Sequence, residues 1–334
     1  MTVSHGPGVT VSEVCVSAQR SPAPAGRWEL LRALGSMTIV APPASDHIAA
    51  SLGIAAFGAA DFTDLFVLSL PPYAGIHLGP DGKLGDEGAD RVAGMWRALG
   101  LGAPPDADHL GSLLLLYAEL GEAADRSGVE RTRRRLDHSR AALLWEHLWS
   151  WVPGYLDAAS AEGDRLARGP WGGAAGGEGA GRRAGVGGAG GGLRSWVDLT
   201  RRVLVRETEL TPGAADLPLA MRAAPTPLHV DDDYGSVLDA LTAPARTGFI
   251  LTYGDLAEAA RVLGLGLRRG ERRFALGAMM GQDAAATLTW LSGHARVWAD
   301  RHRHRPVVAH DPGPWWEQRA SLSAEVLAEM ARSR

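Results

Sequence analysis

The sequence predicts an all-α protein, and three observations support this fold class. Ala and Leu, which favour helices, dominate the apolar residues, whereas Phe and Tyr number five each. Apolar side chains recur at intervals of three and four residues in many segments, as they do on the buried face of a helix. No segment shows the alternating pattern of a strand. The chain has 334 residues, 46% of them hydrophobic, which is enough for a substantial core in one or two domains.

The N-terminal part of the chain divides into a tail and a first helix. Residues 1–25 are rich in Pro, Gly and Ser and show no period, which predicts a disordered tail. A helix is predicted over residues 27–40, because Trp28, Leu31 and Leu34 then form an apolar stripe. Two consecutive prolines stop this helix.

The clearest helical pattern follows Pro104 and Pro105. Asp108 is a suitable N-cap for this helix, since its carboxylate can accept a hydrogen bond from a free N–H of the first turn. The apolar positions i, i+3, i+4 and i+7 are occupied by Leu110, Leu113, Leu114 and Tyr117.

A further helix is predicted after the turn at Ser127 and Gly128. Leu148 and Trp151 lie on its apolar side, and Pro153 is expected to kink it.

Residues 159–192 interrupt the helical pattern. Between Gly169 and Gly192, 13 of 24 residues are glycine. The segment therefore has few side chains whose burial could offset the conformational entropy lost when the chain is ordered. We therefore expect a flexible, glycine-rich insertion. Helix resumes near Leu193, and residues 211–246 are again Pro-rich and irregular.

The C-terminal part is predicted to be helical again. Thr252 and Asp255 have the spacing of a capping box. Asp283 is expected to cap a second long helix. The four helices are predicted at about 253–263, 272–280, 284–304 and 321–331.

Composition excludes several classes of protein. The net charge is −4, from 34 basic and 38 acidic residues, which gives no argument for binding nucleic acid or an anionic membrane. A single cysteine, Cys15, excludes an internal disulfide. The N-terminus lacks the basic start and apolar stretch of a secretory signal, and the longest aliphatic run, 113–116, is too short to span a bilayer. We expect a cytoplasmic protein without stable membrane insertion.

No motif of the chain predicts a catalytic, cofactor or metal site. Gly185, Gly187 and Gly190 have the spacing of a dinucleotide fingerprint, but no strand precedes them and the glycine tract matches by chance. The basic run 301–305 is interpreted as a cationic helix end, which interacts favourably with the helix dipole. There is no nucleophile elbow, zinc-binding helix or phosphate loop. We therefore predict no cofactor, no metal and no enzymatic activity.

Three segments, in order, resemble the TorD/DmsD family of redox-enzyme maturation chaperones. Residues 70–86 contain a Pro-aromatic turn, 104–122 a Pro-x-x-Asp-His element before a Leu-rich helix, and 143–158 a His-Leu-x-x-Trp pattern. The resemblance implies a TorD-like helical bundle over residues 26–210, into which the glycine-rich segment is inserted. Residues 211–334 then form a helical C-terminal extension.

The resemblance also implies a function. Such chaperones bind the twin-arginine signal peptide and the apo form of a molybdopterin oxidoreductase of the dimethyl-sulfoxide-reductase class, while the cofactor is inserted before export. It implies that Asp108 and His109 lie at the peptide groove and that Tyr73, Leu65 and Phe66 line it. Purely structural roles remain as alternatives to peptide binding: Asp108 could be only a helix cap, and Leu65 and Phe66 could be core residues. The sequence departs from the family pattern after Phe66, where Val-Leu replaces Gly-Pro.

Two other functions remain open at this point. A helical ligand-binding or regulatory protein would use the same bundle without a client, and would be indicated by a dry pocket lined by Trp and Leu. An enzyme that handles GTP or molybdopterin would need a phosphate site that the sequence does not show. A homodimer formed by domain swapping is compatible with a bundle that carries a long insertion.

Overall fold

The computed structural model of the chain describes residues 26–85, 87–168, 189–213, 216–305, 308 and 311–334. Within these ranges the regular structure is helical and contains no β-strand, which confirms the predicted all-α class. The predicted tail, residues 1–25, and most of the glycine-rich insertion, residues 169–188, lie outside the described residues.

Sixteen α-helices and two π-helical segments follow one another in the described chain. The π-helical segments are Thr63–Ser69 and Leu143–Leu148. None of the helices in the ranges given above is both long and apolar enough to cross a bilayer. The α-helices are α1 Arg27–Ile39, α2 Asp46–Ser51, α3 Ala59–Phe62, α4 Ala74–Leu78, α5 Glu87–Ala98, α6 Leu110–Arg126, α7 Glu130–Ala142, α8 Val152–Arg168, α9 Ala189–Leu210, α10 Leu219–Arg222, α11 Tyr234–Thr242, α12 Pro244–Thr247, α13 Tyr253–Leu263, α14 Arg272–Gln282, α15 Ala284–Arg303 and α16 Gly313–Arg332.

The long helix predicted after Ser127 is divided in the structure. α7 ends at Ala142, the π-helical segment Leu143–Leu148 follows, and α8 begins at Val152. The predicted kink at Pro153 is therefore wrong. Pro153 lies in the first turn of α8, where backbone N–H groups have no acceptor within the helix. The missing N–H of proline therefore costs no helical hydrogen bond there.

Helix extends further than predicted at three places. α8 continues to Arg168, so the expected break at residue 159 is wrong. Residues 211–246, predicted to be irregular, contain α10, α11 and most of α12. α16 begins at Gly313 instead of Ser321, because the prolines at its start are compatible with the first turn of a helix.

α1 and α6 cross at very short distance within the body of the protein, which we define as residues 26–210. A Cβ atom added at Gly111 would lie 2.7 Å from the carbonyl oxygen of Gly35 and 2.5 Å from Cγ1 of Ile39. This crossing therefore requires glycine. Trp196 of α9 is buried nearby, and its indole N–H donates to the Leu34 carbonyl oxygen over 3.1 Å.

Glu207 of α9 is the centre of a buried ionic cluster that joins four helices of the body. Its carboxylate accepts hydrogen bonds from Nε of Arg27 at 2.6 Å and from the hydroxyl of Tyr117 at 2.7 Å. Nη1 of Arg140 lies 3.5 Å from the same carboxylate. The cluster holds α1, α6 and α7 against α9. Each buried charge in it needs the others, because their attraction and hydrogen bonds offset the free-energy cost of removing these groups from water.

The C-terminal extension, residues 211–334, packs against the body through a second ionic cluster. The guanidinium of Arg165 in α8 pairs with Glu162, one turn earlier, and with Asp255 of α13. Asp255 and Thr252 also cap each other's backbone at the start of α13, which confirms the predicted capping box.

Aromatic and imidazole rings fill the contact between the body and the extension. His77 stacks on Trp151 with ring centroids 4.9 Å apart, and His302 stacks on Trp316 at 6.1 Å. The indole of Trp316 donates to the carbonyl oxygen of Ser150 over 2.9 Å. Burial lowers the pKa of both histidines to about 3, so both are neutral at pH 7.

Candidate functional site

The candidate site forms where the loop that leads into α4 meets the loop that leads into α6. An isolated antiparallel bridge pairs Tyr73 with His109. The N–H of Leu110 donates to the Pro72 carbonyl oxygen over 2.8 Å, and the N–H of Ala74 donates to the Asp108 carbonyl oxygen over 3.0 Å. Both motifs of the sequence are therefore held together by the backbone. The side chains of the two motifs lie at the starts of α4 and α6.

The prediction that Asp108 caps α6 is wrong. His109 is the N-cap residue of α6, and its Nδ1 accepts a hydrogen bond from the N–H of Gly111 at 3.1 Å. Oδ2 of Asp108 accepts instead from the N–H of Gly75 in the first turn of α4, at 2.9 Å. Asp108 thus satisfies a free N–H of a helix far away in sequence. The extended backbone at His109 turns the preceding side chain away from α6.

Tyr73 connects the buried part of the site with solvent. Its ring meets the imidazole of His109 edge-on, with centroids 4.8 Å apart, and its hydroxyl donates to Oδ1 of Asp106 over 3.3 Å. Tyr73 is half-buried and Asp106 is exposed, whereas Asp108 and His109 are buried. The surface that a ligand meets first is therefore the Tyr73 ring and the Asp106 carboxylate. We refer to Tyr73, Asp106, Asp108 and His109 as the Tyr73 site.

Burial decides the protonation of the groups behind this surface. Burial lowers the pKa of His109 to about 4, and Asp106 opposes the shift only in part. Because Nδ1 accepts from the backbone, the neutral ring carries its proton on Nε2. Burial also raises the pKa of Asp108, and the hydrogen bond from Gly75 opposes this shift. The pKa of Tyr73 is raised by burial and then by the Asp106 carboxylate. At pH 7 no cation is present among these four side chains, and the exposed charge is negative.

The structure places Leu65 and Phe66 in the core. They are 2% and 3% exposed. The Phe66 ring packs edge-on against Phe62 and Trp196, with centroids 5.2 and 5.5 Å apart. These two residues support the bundle, and the Tyr73 site does not include their side chains.

The two residues that follow them, Val67 and Leu68, face solvent instead. They are 56% and 68% exposed. The π-helical turn closes with a hydrogen bond from the N–H of Leu70 to the carbonyl oxygen of Leu65, at 2.8 Å. With this wider turn, the sequence Leu-Phe-Val-Leu presents its first half to the core and its second half to water.

The sequence did not predict that Asp106 is the exposed carboxylate of the Tyr73 site, or that Val67 and Leu68 face solvent. Asp106 lies within the Pro-x-x-Asp-His element, but nothing local shows that it, and not Asp108, keeps its carboxylate in solvent. The exposed pair coincides with the departure from the family pattern, in which Gly-Pro is replaced by two large apolar residues. That departure was the one available signal.

The arrangement at the Tyr73 site is suited to binding. It offers an exposed carboxylate, which can accept hydrogen bonds from a basic ligand, and a half-buried phenol ring, which can pack against it. Within the ranges that the structure describes, no group of three or more His, Cys, Asp or Glu side chains is placed to hold a metal ion.

Residues 54–157 match the family model described as nitrate reductase delta subunit. The match spans about a third of the chain and includes the whole Tyr73 site. The family consists of redox-enzyme maturation chaperones, so the match supports the resemblance at this coarse level, without distinguishing the TorD/DmsD branch. No curated protein and no solved structure matches the chain. The extension lies outside the matched region.

Proposed function

We propose that the protein is a maturation chaperone for a molybdopterin oxidoreductase of the dimethyl-sulfoxide-reductase class. It binds the twin-arginine signal peptide and the apo form of this client in the cytoplasm, before export, and is not itself an enzyme. The observation that carries the proposal is the family match over residues 54–157, because this region contains the Tyr73 site.

The exposed groups of the site complement a twin-arginine signal peptide, which has a basic pair followed by an apolar stretch. The Asp106 carboxylate and the Tyr73 ring are suited to a guanidinium group, by charge and by cation–π contact. Val67 and Leu68 lie shortly before Tyr73 in the chain and expose apolar side chains that suit the apolar stretch. Opposite charge also speeds association and selects against acidic peptides.

Asp108 and His109 act as positioning residues in this proposal. Asp108 holds the first turn of α4 against the site, and His109 holds the first turn of α6. Leu65 and Phe66 support the same region from the core side. A peptide then meets a rigid surface, which lowers the entropy lost on binding.

Peptide binding tests this proposal directly. The probe is a fluorescein-labelled peptide with the twin-arginine pair and apolar stretch of a molybdopterin oxidoreductase precursor, and fluorescence anisotropy is measured with the full chain. We expect Asp106→Asn and Leu68→Ser each to raise Kd by roughly three- to tenfold, which corresponds to about 0.7–1.4 kcal/mol. Leu322→Ser, on the exposed side of α16, is the matched control and leaves Kd unchanged.

Two results would contradict the proposal. One is a Kd that does not change when both arginines of the peptide are replaced by glutamine. The other is a Kd that responds to Leu322→Ser as strongly as to Leu68→Ser.

The ligand-binding alternative would be indicated by a dry pocket lined by Trp and Leu. The space enclosed by His77, Trp151, Trp298 and Trp316 measures about 10 Å³, which is close to the minimum for a single water molecule. This space does not favour the alternative.

A further inference from the structure

A groove of about 680 Å³ lies on the surface of the C-terminal extension, between α11, α14 and the connection 264–271. The rings of Tyr234 and Phe274 line it and are 47% and 53% exposed. Leu238 and Leu267 contribute apolar side chains. Two exposed aromatic rings in the lining of a groove that also contains apolar side chains are typical of a surface that binds a partner.

Hydrogen bonds hold the walls of this groove in place. The hydroxyl of Tyr234 donates to the carbonyl oxygen of Gly277 over 3.1 Å. The side-chain amide of Gln282 bonds the backbone of Gly266 in both directions, at 2.7 and 2.8 Å. The wall residues therefore need little further ordering when a ligand binds.

The charge of the groove is positive, in a chain whose net charge is −4. Its lining includes Arg268 and Arg273 and no carboxylate. Arg273 pairs with Asp239, whereas the guanidinium of Arg268 lies 5.9 Å from the centroid of the Phe274 ring. In the part of the chain that the structure describes, Arg268 has no carboxylate partner. A carboxylate of a ligand would supply one, beside the Phe274 ring.

α14 also leaves room for a ligand backbone. A Cβ atom added at Gly281, in the groove wall, would meet no atom within 4 Å, and Ala278 is the neighbouring wall residue. The side of α14 that faces the groove therefore carries little bulk, and open space lies above Gly281.

We propose that this groove binds a polypeptide segment that places a large apolar side chain against the rings of Tyr234 and Phe274 and a carboxylate at Arg268. The partner is an acidic, amphipathic segment of another protein. The inference does not depend on the proposed function, because the groove lies outside residues 54–157 and carries the opposite charge to the Tyr73 site.

Fluorescence anisotropy with two synthetic peptides tests the inference. One fluorescein-labelled peptide of 12 residues alternates Leu or Phe with Glu, and the second has Lys in place of every Glu. With the full chain, we expect the acidic peptide to bind at least tenfold more tightly than the basic one. The difference should shrink in 0.5 M NaCl, because salt screens exposed charges.

Matched variants locate the binding. Gly281→Leu fills the groove without a clash and should weaken binding of the acidic peptide by tenfold or more. Gly293→Leu on α15, where an added Cβ also meets open space, is its control and should leave binding unchanged. Arg268→Glu should weaken binding by about fivefold or more, with Arg296→Glu as the control of equal charge change. Circular dichroism and thermal unfolding check that each variant is folded.

Three outcomes would overturn the inference. The first is equal binding of the acidic and basic peptides. The second is binding of the acidic peptide that Gly281→Leu does not change. The third is the absence of peptide binding together with a concentration-dependent dimer that Gly281→Leu abolishes, since a second copy of this chain would then be the occupant.

Discussion

The Tyr73 site and the groove beside Phe274 differ in how their polar groups are held. At the Tyr73 site, Asp108 and His109 are buried and accept hydrogen bonds from backbone N–H groups. At the groove, Arg268 and Phe274 are exposed, and the guanidinium of Arg268 lies over the Phe274 ring. The first surface is acidic and is held by buried groups that also stabilise the fold. The second surface is basic and is formed by exposed side chains.

This difference separates stability from binding. Removal of a buried acceptor leaves an N–H group without a partner, so the fold loses stability and binding together. Removal of an exposed cation changes the affinity for a ligand and little else. Variants of the Tyr73 site must therefore be compared at equal folded fraction, whereas variants of the groove report binding directly.

The largest expected effect is that of Glu207→Ala on stability, and the same experiment tests whether the body and the extension unfold together. Glu207→Ala leaves Arg140 buried beside Tyr117 with only the partly exposed Asp137 as counter-charge, and should lower the free energy of unfolding by about 3–5 kcal/mol. Urea unfolding, followed by tryptophan fluorescence, measures the change. Because Arg165 and Asp255 join body and extension, we expect a single transition. Two separated transitions would show that the regions are independent folding units, and the comparison would then be between two domains.

The next effect is a dependence of stability on pH at the contact between body and extension. Burial lowers the pKa of His77 and His302 to about 3. The unfolded histidines have a pKa near 6.5, so between pH 6.5 and 3 the unfolded chain binds more protons than the folded chain. Stability is therefore full above pH 6.5 and falls as the pH is lowered.

At pH 5.0 each of these histidines should cost about 2 kcal/mol relative to pH 7.5. Chemical unfolding at the two pH values measures the loss. His77→Gln, which cannot be protonated, should reduce the difference between the two pH values. If the difference is the same in the variant, His77 takes up a proton equally well in the folded and unfolded states. This result would contradict the lowered pKa that its burial predicts.

A direct comparison of the two surfaces gives a smaller effect. Asp108→Ala leaves the buried N–H of Gly75 without its acceptor and should cost about 1–3 kcal/mol. Arg268→Ala removes an exposed side chain and should change stability by less than about 0.5 kcal/mol. Thermal unfolding of both variants at pH 7.5 tests the contrast. Equal losses would refute the distinction between a surface built into the fold and one that lies on it.

The smallest expected effect is a gain. Gly281→Ala replaces a helical glycine where a Cβ atom meets open space, and should raise stability by about 0.5–1 kcal/mol by reducing the entropy of the unfolded chain. Differential scanning calorimetry can detect this increase in Tm. A loss of stability would indicate that the groove wall is strained and less permissive than its geometry shows.

Local sequence patterns predicted much of the helical structure correctly. The stripe of Trp28, Leu31 and Leu34 and the capping box of Thr252 and Asp255 both appear in the structure as expected. These patterns depend on residues three or four positions apart, which meet in any helix. The helical stretch that ends at Arg168 was missed, because small and charged residues weaken the apolar period there.

The composition and spacing of the residues alone determined that this protein is helical and where most of its helices lie. Only the tertiary structure decided that Asp108 serves α4, that Val67 and Leu68 face solvent, and that Arg268 lies beside an open groove. The physical reason is distance along the chain. A hydrogen bond such as that between Asp108 and Gly75 joins residues 33 positions apart, and its partner is chosen by how the helices pack, not by the neighbouring residues.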